Sequence, residues 1–284
     1  MEDQTLHLDM IVSKIQNSLK RTCYRPWEAA VAPFCVAPKV YYVGGNDWVA
    51  CYLIDTGEGL ILIDAAMQEI MYLVTESVRL LGYDPLDIKK ILISHAHLDH
   101  CGGVRALSEY TGAEIYMSRE DWDFMQNHRE VVFHKPFAVG DFTPDKFYEK
   151  DCPVTLGKIT VETLHTPGHT PGTTSFFFTV ADDKGTKYRC AMPGGLGLNS
   201  LSNQYLDKIG LPRTLQKSFC ESLRKLKEIE VDITLPSHPD ILEQFFELAD
   251  RKTCNFQLYV NKTVWTQLMD SHIRMMEQLL GRPV

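Results

Sequence analysis

The 284-residue chain lacks any apolar run near the ~18 residues that crossing a bilayer takes; even residues 59–66 are interrupted by Asp64, so no membrane partner is expected. Basic residues are in deficit. Lys and Arg number 29 against 37 Asp and Glu, a net charge of −8, which is the wrong sign for gripping a phosphate backbone, so nucleic acid is not an expected partner either. The eight cysteines form no C-x-x-C pair and no dense cluster, so they read as reduced thiols rather than a disulfide framework. A secretory leader is also missing from the reading. Glu2 and Asp3 follow Met1, and Asp9 and Lys14 interrupt the first apolar residues, so the start reads as an amphipathic helix and the expected compartment is the cytoplasm.

What is present is ordinary globular material, 44% hydrophobic and 23% charged. A chain of this length buries roughly 75% of the surface its unfolded form exposes, so a metal in it would serve chemistry rather than folding. One domain over 1–284 is expected, with an N-terminal helical extension at 1–30 and a C-terminal helix over 253–284. Apolar runs at 40–43, 49–55 and 60–64, separated by turn-forming segments, predict three antiparallel strands. Helical spacing over 67–81 (Ile70, Leu73, Val74, Val78, Leu81) stops at Gly82. A strand at 91–94, a helix at 104–110 and a strand at 114–117 continue as β-α-β; residues 119–150 read as a short helix and a long aromatic loop. Strands at 159–164, 174–180, 187–192 and 232–235 and a helix at 212–230 complete a mixed α/β pattern.

Chemistry concentrates where the 91–94 strand ends, in His95-Ala96-His97-Leu98-Asp99-His100 followed by Cys101-Gly102-Gly103. Four metal-capable side chains in six residues is a pattern with a low chance of arising at random. In an extended loop, residues two apart point the same way, so His95 and His97 can grip one ion, while Asp99 and His100, where the chain turns toward a helix, can reach a second. Thr166-Pro167-Gly168-His169-Thr170-Pro171-Gly172 brackets one histidine between two stiff turns, and Leu235-Pro236-Ser237-His238-Pro239 places another after a strand end. The count is His95, His97 and His169 for one ion and Asp99, His100 and His238 for the other. Three protein ligands with an open position describe a catalytic zinc site, though iron or manganese would also accept these donors. Asp64 is the expected acceptor orienting a ligand histidine. Trp48 and the aromatic segment from Trp122 to Phe147 are candidates to wall a cleft for a small-molecule substrate. His7, His128, His134, His165 and His272 are left to surface or packing roles, and nothing in the sequence speaks to oligomeric state.

On these residues the chain resembles the metallo-β-lactamase fold superfamily from about residue 33 to 252. Within it the chain is most similar to the third subclass of class B β-lactamases, in Tyr41-Tyr42-Val43-Gly44, Leu60-Ile61-Leu62-Ile63-Asp64, the run from His95 to Gly103, Thr111-Gly112-Ala113, Thr166 to Gly172, and His238 in Pro-Ser-His-Pro. The resemblance implies a four-layer αββα sandwich with a dinuclear metal site at one edge of the sheets. It also implies hydrolysis of a carbonyl substrate by water activated between two zinc ions, with Asp99 orienting that water. Relatives that hydrolyse lactones and thioesters carry a bridging Asp after the strand at 187–192, where this chain has Pro193-Gly194-Gly195. Cys190 lies too early to match the Cys ligand of the first two subclasses. A cyclic amide of the β-lactam kind is therefore the first expectation. A lactone or thioester hydrolase, or a non-catalytic metal-binding member, is the alternative. The third subclass usually has an Ala-Asp-Ser-like segment here, with serines that hold the substrate; Asn199, Ser200 or Ser202 are the residues that could substitute.

Overall fold

The computed structural model describes residues 13, 16–129, 140–150, 152–242, 244–250 and 253–283; the expectations for His7, Phe133, His134 and Phe137 lie outside them. Two sheets face each other. The first has seven strands in chain order, β1 (Phe34–Ala37), β2 (Val40–Tyr42), β3 (Tyr52–Asp55), β4 (Leu60–Ile63), β5 (Ile88–Leu92), β6 (Glu114–Met117) and β7 (Lys146–Phe147), antiparallel as far as β4 and parallel from there on. The second has the order β12 (Ile233–Thr234), β11 (Lys187–Met192), β10 (Thr174–Ala181), β9 (Ile159–His165), β8 (Val154–Leu156), antiparallel except for the β11–β12 pair.

Alternation along the strands builds the layers. Every residue of β4 is buried, as a strand covered on both faces requires. Ile61 and Ile63 join the core between the sheets, while Leu60 and Leu62 join the core under the helices Met71–Leu80, Val104–Thr111 and Arg119–Asn127. In β10, Phe176, Phe178 and Val180 face the same inter-sheet core, and Phe177 turns outward to Phe219 and Trp265 on the helices Thr214–Lys227 and Lys262–Leu280. Helices, sheet, sheet and helices make the expected αββα sandwich.

Several local expectations need correction. β1, β7 and β8 fall where no strand was read, because strands of two to four residues show too little alternation to register. The helix expected over 253–284 is divided: a 3₁₀ turn Phe256–Tyr259 precedes the helix Lys262–Leu280, whose start is set by the Asn261 side chain accepting from the Thr263 N–H. The cysteines are not all reduced. Cys35 in β1 and Cys254 form a disulfide with Cα atoms 5.0 Å apart across 219 positions, a separation that leaves no spacing signal in the sequence and removes the cysteine argument for a cytoplasmic compartment. Among the described residues no helix is long and apolar enough to cross a membrane.

Candidate metal centre

The loops that matter leave the carboxyl ends of β4, β5, β9, β11 and β12, and they bring all six expected donors together in two triads, His95–His97–His169 and Asp99–His100–His238, with the donor atoms of each within 4.8 Å of one another. Gly168 makes the second loop possible. Its φ of 152° is open to glycine, and a Cβ there would lie 2.5 Å from the Cα of Phe219.

The hydrogen bonds fix the state of the rings. Asp64, fully buried at φ 59°, accepts from the Ser94 N–H, the Ser94 hydroxyl and His100 Nδ1, each at 2.7 Å. Because Ser94 spends its only proton on Asp64, its oxygen must accept from His95 Nδ1, 2.9 Å away. His169 Nδ1 donates to the Gly197 carbonyl at 2.6 Å and His238 Nδ1 to the Trp48 carbonyl at 2.7 Å. In these four rings the Nδ1 carries the hydrogen, so in the neutral ring Nε2 offers a lone pair.

Among the described residues, two features mark these lone pairs as lacking donors. His95 Nε2 is buried without a hydrogen-bond partner, and His100 Nε2 faces His238 Nε2 at 3.1 Å. Two lone pairs at that distance repel unless a cation or a proton lies between them. Donors about 2.0–2.1 Å from a common tetrahedral ion stand about 3.3 Å apart. The second triad has edges of 3.1 Å (His100–His238), 3.3 Å (His238–Asp99) and 3.6 Å (His100–Asp99), so its donor set fits such an ion.

Electrostatics agrees with that fit. Burial, together with neighbouring His100, His169 and His97, holds the His95 imidazole well below its usual range, and burial with His97 does the same to His169. Burial also lowers His238, against Asp99. In His100 burial pulls down, but Asp99 and Asp64 prevail and raise it. Burial would lift the Asp99 carboxyl, yet His100 and His238 outweigh it and keep it low.

The expected substrate residues have other connections. Ser200 is buried beneath His169, donating to its carbonyl at 2.7 Å and standing 3.0 Å from Nδ1. Trp48 contributes its backbone carbonyl to His238, with its half-buried ring 5.8 Å from that imidazole. Asn199 is half-buried, its Oδ1 beside Gly197. Trp122 packs on Phe142, and the Phe147 ring lies 3.9 Å from the Arg119 guanidinium. Gly195 lies directly against His169; a Cβ there would overlap Cδ2 and stand 2.6 Å from Cγ, so no bridging acid could occupy that position.

Two residues escaped the sequence reading. Asn46 builds the turn that presents the Trp48 carbonyl: its amide donates to Gly44 and Val49 carbonyls and its oxygen accepts from the Trp48 and Val49 N–H groups. Asp121 is fully buried and accepts from the Ala96 N–H, the Thr170 hydroxyl and the Gly172 N–H. The Gly44-Gly45-Asn46-Asp47 run signalled a turn, but Asp121 sits among acidic residues in a helical first turn and carried no signal.

The model of the metallo-β-lactamase superfamily matches residues 45–183. An N-acyl homoserine lactonase of a Bacillus species is 33% identical over 147 residues, covering 44% of this chain and 55% of the relative, so the chain spans about half the length of the curated relatives it matches. A hydroxyacylglutathione hydrolase of Haemophilus influenzae is 34% identical over 95 residues, 32% of this chain and 44% of the relative. Among solved structures, BJP-1, a subclass B3 metallo-β-lactamase of Bradyrhizobium japonicum, superposes with a TM-score of 0.80 at 27% identity, over 91% of this chain and 97% of that one.

Proposed function

Starting from a chain that has the metallo-β-lactamase fold, we propose that it is a dinuclear metal-dependent hydrolase acting on a carbonyl group, with a cyclic amide of the β-lactam kind as the first substrate class. The observation that carries this reading is the convergence of six donors in two adjacent triads, with His95 Nε2 buried without a partner among the described residues and His100 Nε2 set against His238 Nε2. His95, His97 and His169 hold one cation; Asp99, His100 and His238 hold the other. Zinc is the metal best matched to a nitrogen-rich tetrahedral set, with iron and manganese compatible. When bound, a pair of such ions supplies Lewis acidity, polarising a carbonyl and bringing the pKa of water toward about 7.

The protein groups do the rest. Asp64 holds the His100 ring with Nε2 turned inward, Trp48 does so for His238 through its carbonyl, and Gly197 does so for His169. Asp99, the one carboxylate among the six, is the acceptor that orients the attacking water. Coordinating as neutral imidazoles beside the one carboxylate, Asp99, these six residues would leave two divalent cations with net positive charge, which would favour a transition state that develops negative charge. The amide reading is supported by the absence of a bridging acid at Gly195 and by the likeness to a subclass B3 enzyme over nearly the whole chain. A lactone or thioester substrate is the second reading, supported by the 33% and 34% identity to a lactonase and a hydroxyacylglutathione hydrolase.

The test is to load the protein with zinc and compare a chromogenic cephalosporin, an N-acyl homoserine lactone and a glutathione thioester, alongside His97→Ala. Turnover of the cephalosporin that His97→Ala abolishes supports the first reading, and turnover of the lactone or thioester alone moves the assignment to the second. A rate that survives His97→Ala, or no turnover with two zinc ions bound, would overturn the hydrolase assignment.

A further inference from the structure

Outside the six donors, one buried carboxylate joins the two loops that carry the three histidines. Asp121 begins in a helical first turn, where Ser118 caps the helix Arg119–Asn127 by accepting from the Asp121 N–H. From there its carboxylate points into the fold rather than to solvent. Oδ2 accepts from the Ala96 N–H at 2.7 Å and from the Thr170 hydroxyl at 2.7 Å, and Oδ1 accepts from the Gly172 N–H at 2.6 Å.

The placement of those three donors is the point. Ala96 is the single residue between His95 and His97, so fixing its N–H fixes the direction in which both imidazoles leave the backbone. Thr170 follows His169 directly, and Gly172 closes the same loop. Gly172 can come this near only without a side chain, since a Cβ there would overlap Ser118 Oγ and stand 2.8 Å from Asp121 Cβ. The second triad has its own anchors, Asp64 and the Trp48 carbonyl, and takes nothing from Asp121. Burial raises the Asp121 carboxyl to about 6, so the ionised form, which accepts all three hydrogen bonds, prevails at neutral pH.

We propose that Asp121 is the positioning residue of the His95–His97–His169 site, setting the separation of its two loops and with it the affinity of that site for a cation, independently of the Asp99–His100–His238 site. The inference rests on the metal-dependent reading above. Asparagine at 121 would present an amide N–H₂ to at least one of the three donors, and the loops would part there.

The full chain is stripped of metal and titrated with zinc against a chromophoric chelator, as wild type, Asp121→Asn, Thr170→Val and Thr170→Ser, each also in an Asp99→Asn background that weakens the second site. Asp121→Asn is expected to weaken one of the two ions by about 10- to 100-fold and leave the other unchanged, with the weakened ion being the one that persists in the Asp99→Asn background. Thr170→Val is expected to give a smaller loss at the same ion, and Thr170→Ser to restore it, which a merely structural role for Asp121 would not produce. Two ions at wild-type affinity in folded Asp121→Asn, or equal weakening of both, overturns the proposal. If circular dichroism shows Asp121→Asn unfolded, unchanged affinity in Thr170→Val overturns it instead. Wild-type protein that takes up no zinc overturns the hydrolase reading, and this proposal with it.

Discussion

Gly195→Ala adds one methyl group, and the structure gives it nowhere to go. The new Cβ would overlap His169 Cδ2 and lie 2.6 Å from Cγ and 2.8 Å from Nε2. Carbon atoms rest about 3.5–4.0 Å apart, so ring or backbone must retreat by about 1.5–2 Å at Cδ2. The backbone is pinned on its side, with the Gly194 N–H donating to Ser175 Oγ at 3.1 Å and the Gly194 carbonyl accepting from Ser237 Oγ at 3.2 Å. The ring is held by two contacts at Nδ1, the Gly197 carbonyl and the Ser200 hydroxyl, and can turn about its side-chain bonds while the backbone on both sides stays anchored, so the imidazole is the part that yields. Metal–ligand distances tolerate only about ±0.2 Å, and a 1 Å misplacement near reacting groups costs on the order of 100-fold in rate. Overpacking should also lower stability by about 1–3 kcal/mol. Zinc content after gel filtration, the turnover number on the best substrate of the panel and a thermal melt of the metal-free protein measure the three effects. Gly197→Ala is the graded control, because its Cβ would come no nearer the ring than 3.0 Å, at Cε1, with Asn199 Oδ1 at 2.7 Å, and the loss should be smaller. A Gly195→Ala protein with two zinc ions and a wild-type rate would refute the placement of His169 as a ligand backed by this turn.

Asp64→Asn should cost about 1.4–2.7 kcal/mol of zinc affinity at the second site, the equivalent of 10- to 100-fold, since His100 loses the acceptor that keeps hydrogen on Nδ1, with a smaller loss at the first site through Ser94 and His95; unchanged competition titrations would count against it. On acidification the second site should release its cation first. His100 sits above the usual imidazole range and binds a proton at higher pH than His95 or His169, which sit well below it, so a zinc titration across pH 5–8 that loses the three-histidine ion first would contradict the assignment. The metal-free fold should itself lose stability as pH falls below about 6.5, because the unfolded chain protonates imidazoles that His95, His169 and His238 keep neutral when folded, while His100 opposes this; denaturant melts at a series of pH values read the slope. Reduction of Cys35–Cys254, which closes a loop across 219 positions, should lower unfolding free energy by about 2–5 kcal/mol, seen as a lower melting temperature with a reducing agent present.

The donors were legible in the sequence because their chemistry is local. His95, His97, Asp99 and His100 follow one strand, and the stiff Thr-Pro-Gly turns around His169 mark it as a candidate donor without a structure. The αββα layers were available through the family resemblance, while the Leu-Ile-Leu-Ile run of β4 carries no polar alternation to say which side chains face which core. What could not be read is whatever depends on meeting a distant partner. Asp121 looks like any acid in a helical first turn until Ala96, Thr170 and Gly172 converge on it from two other loops. Ser200 looked free to bind substrate until His169 claimed its hydroxyl, and Cys35 looked like a lone thiol until Cys254 arrived beside it. The same division separates the functions of these residues. Groups that touch a cation must have particular atoms and show as motifs. Groups that aim those atoms need only an acceptor of the right reach, which can come from any part of the chain. Asp64, behind His100 and through Ser94 behind His95, and Asp121, behind Ala96 and Thr170, are such acceptors, with no spacing rule connecting them to each other. Asp121→Asn should therefore weaken the three-histidine ion alone, whereas Asp64→Asn should weaken chiefly the other and, through Ser94 and His95, the first as well, an asymmetry that the ligand motifs alone do not foretell.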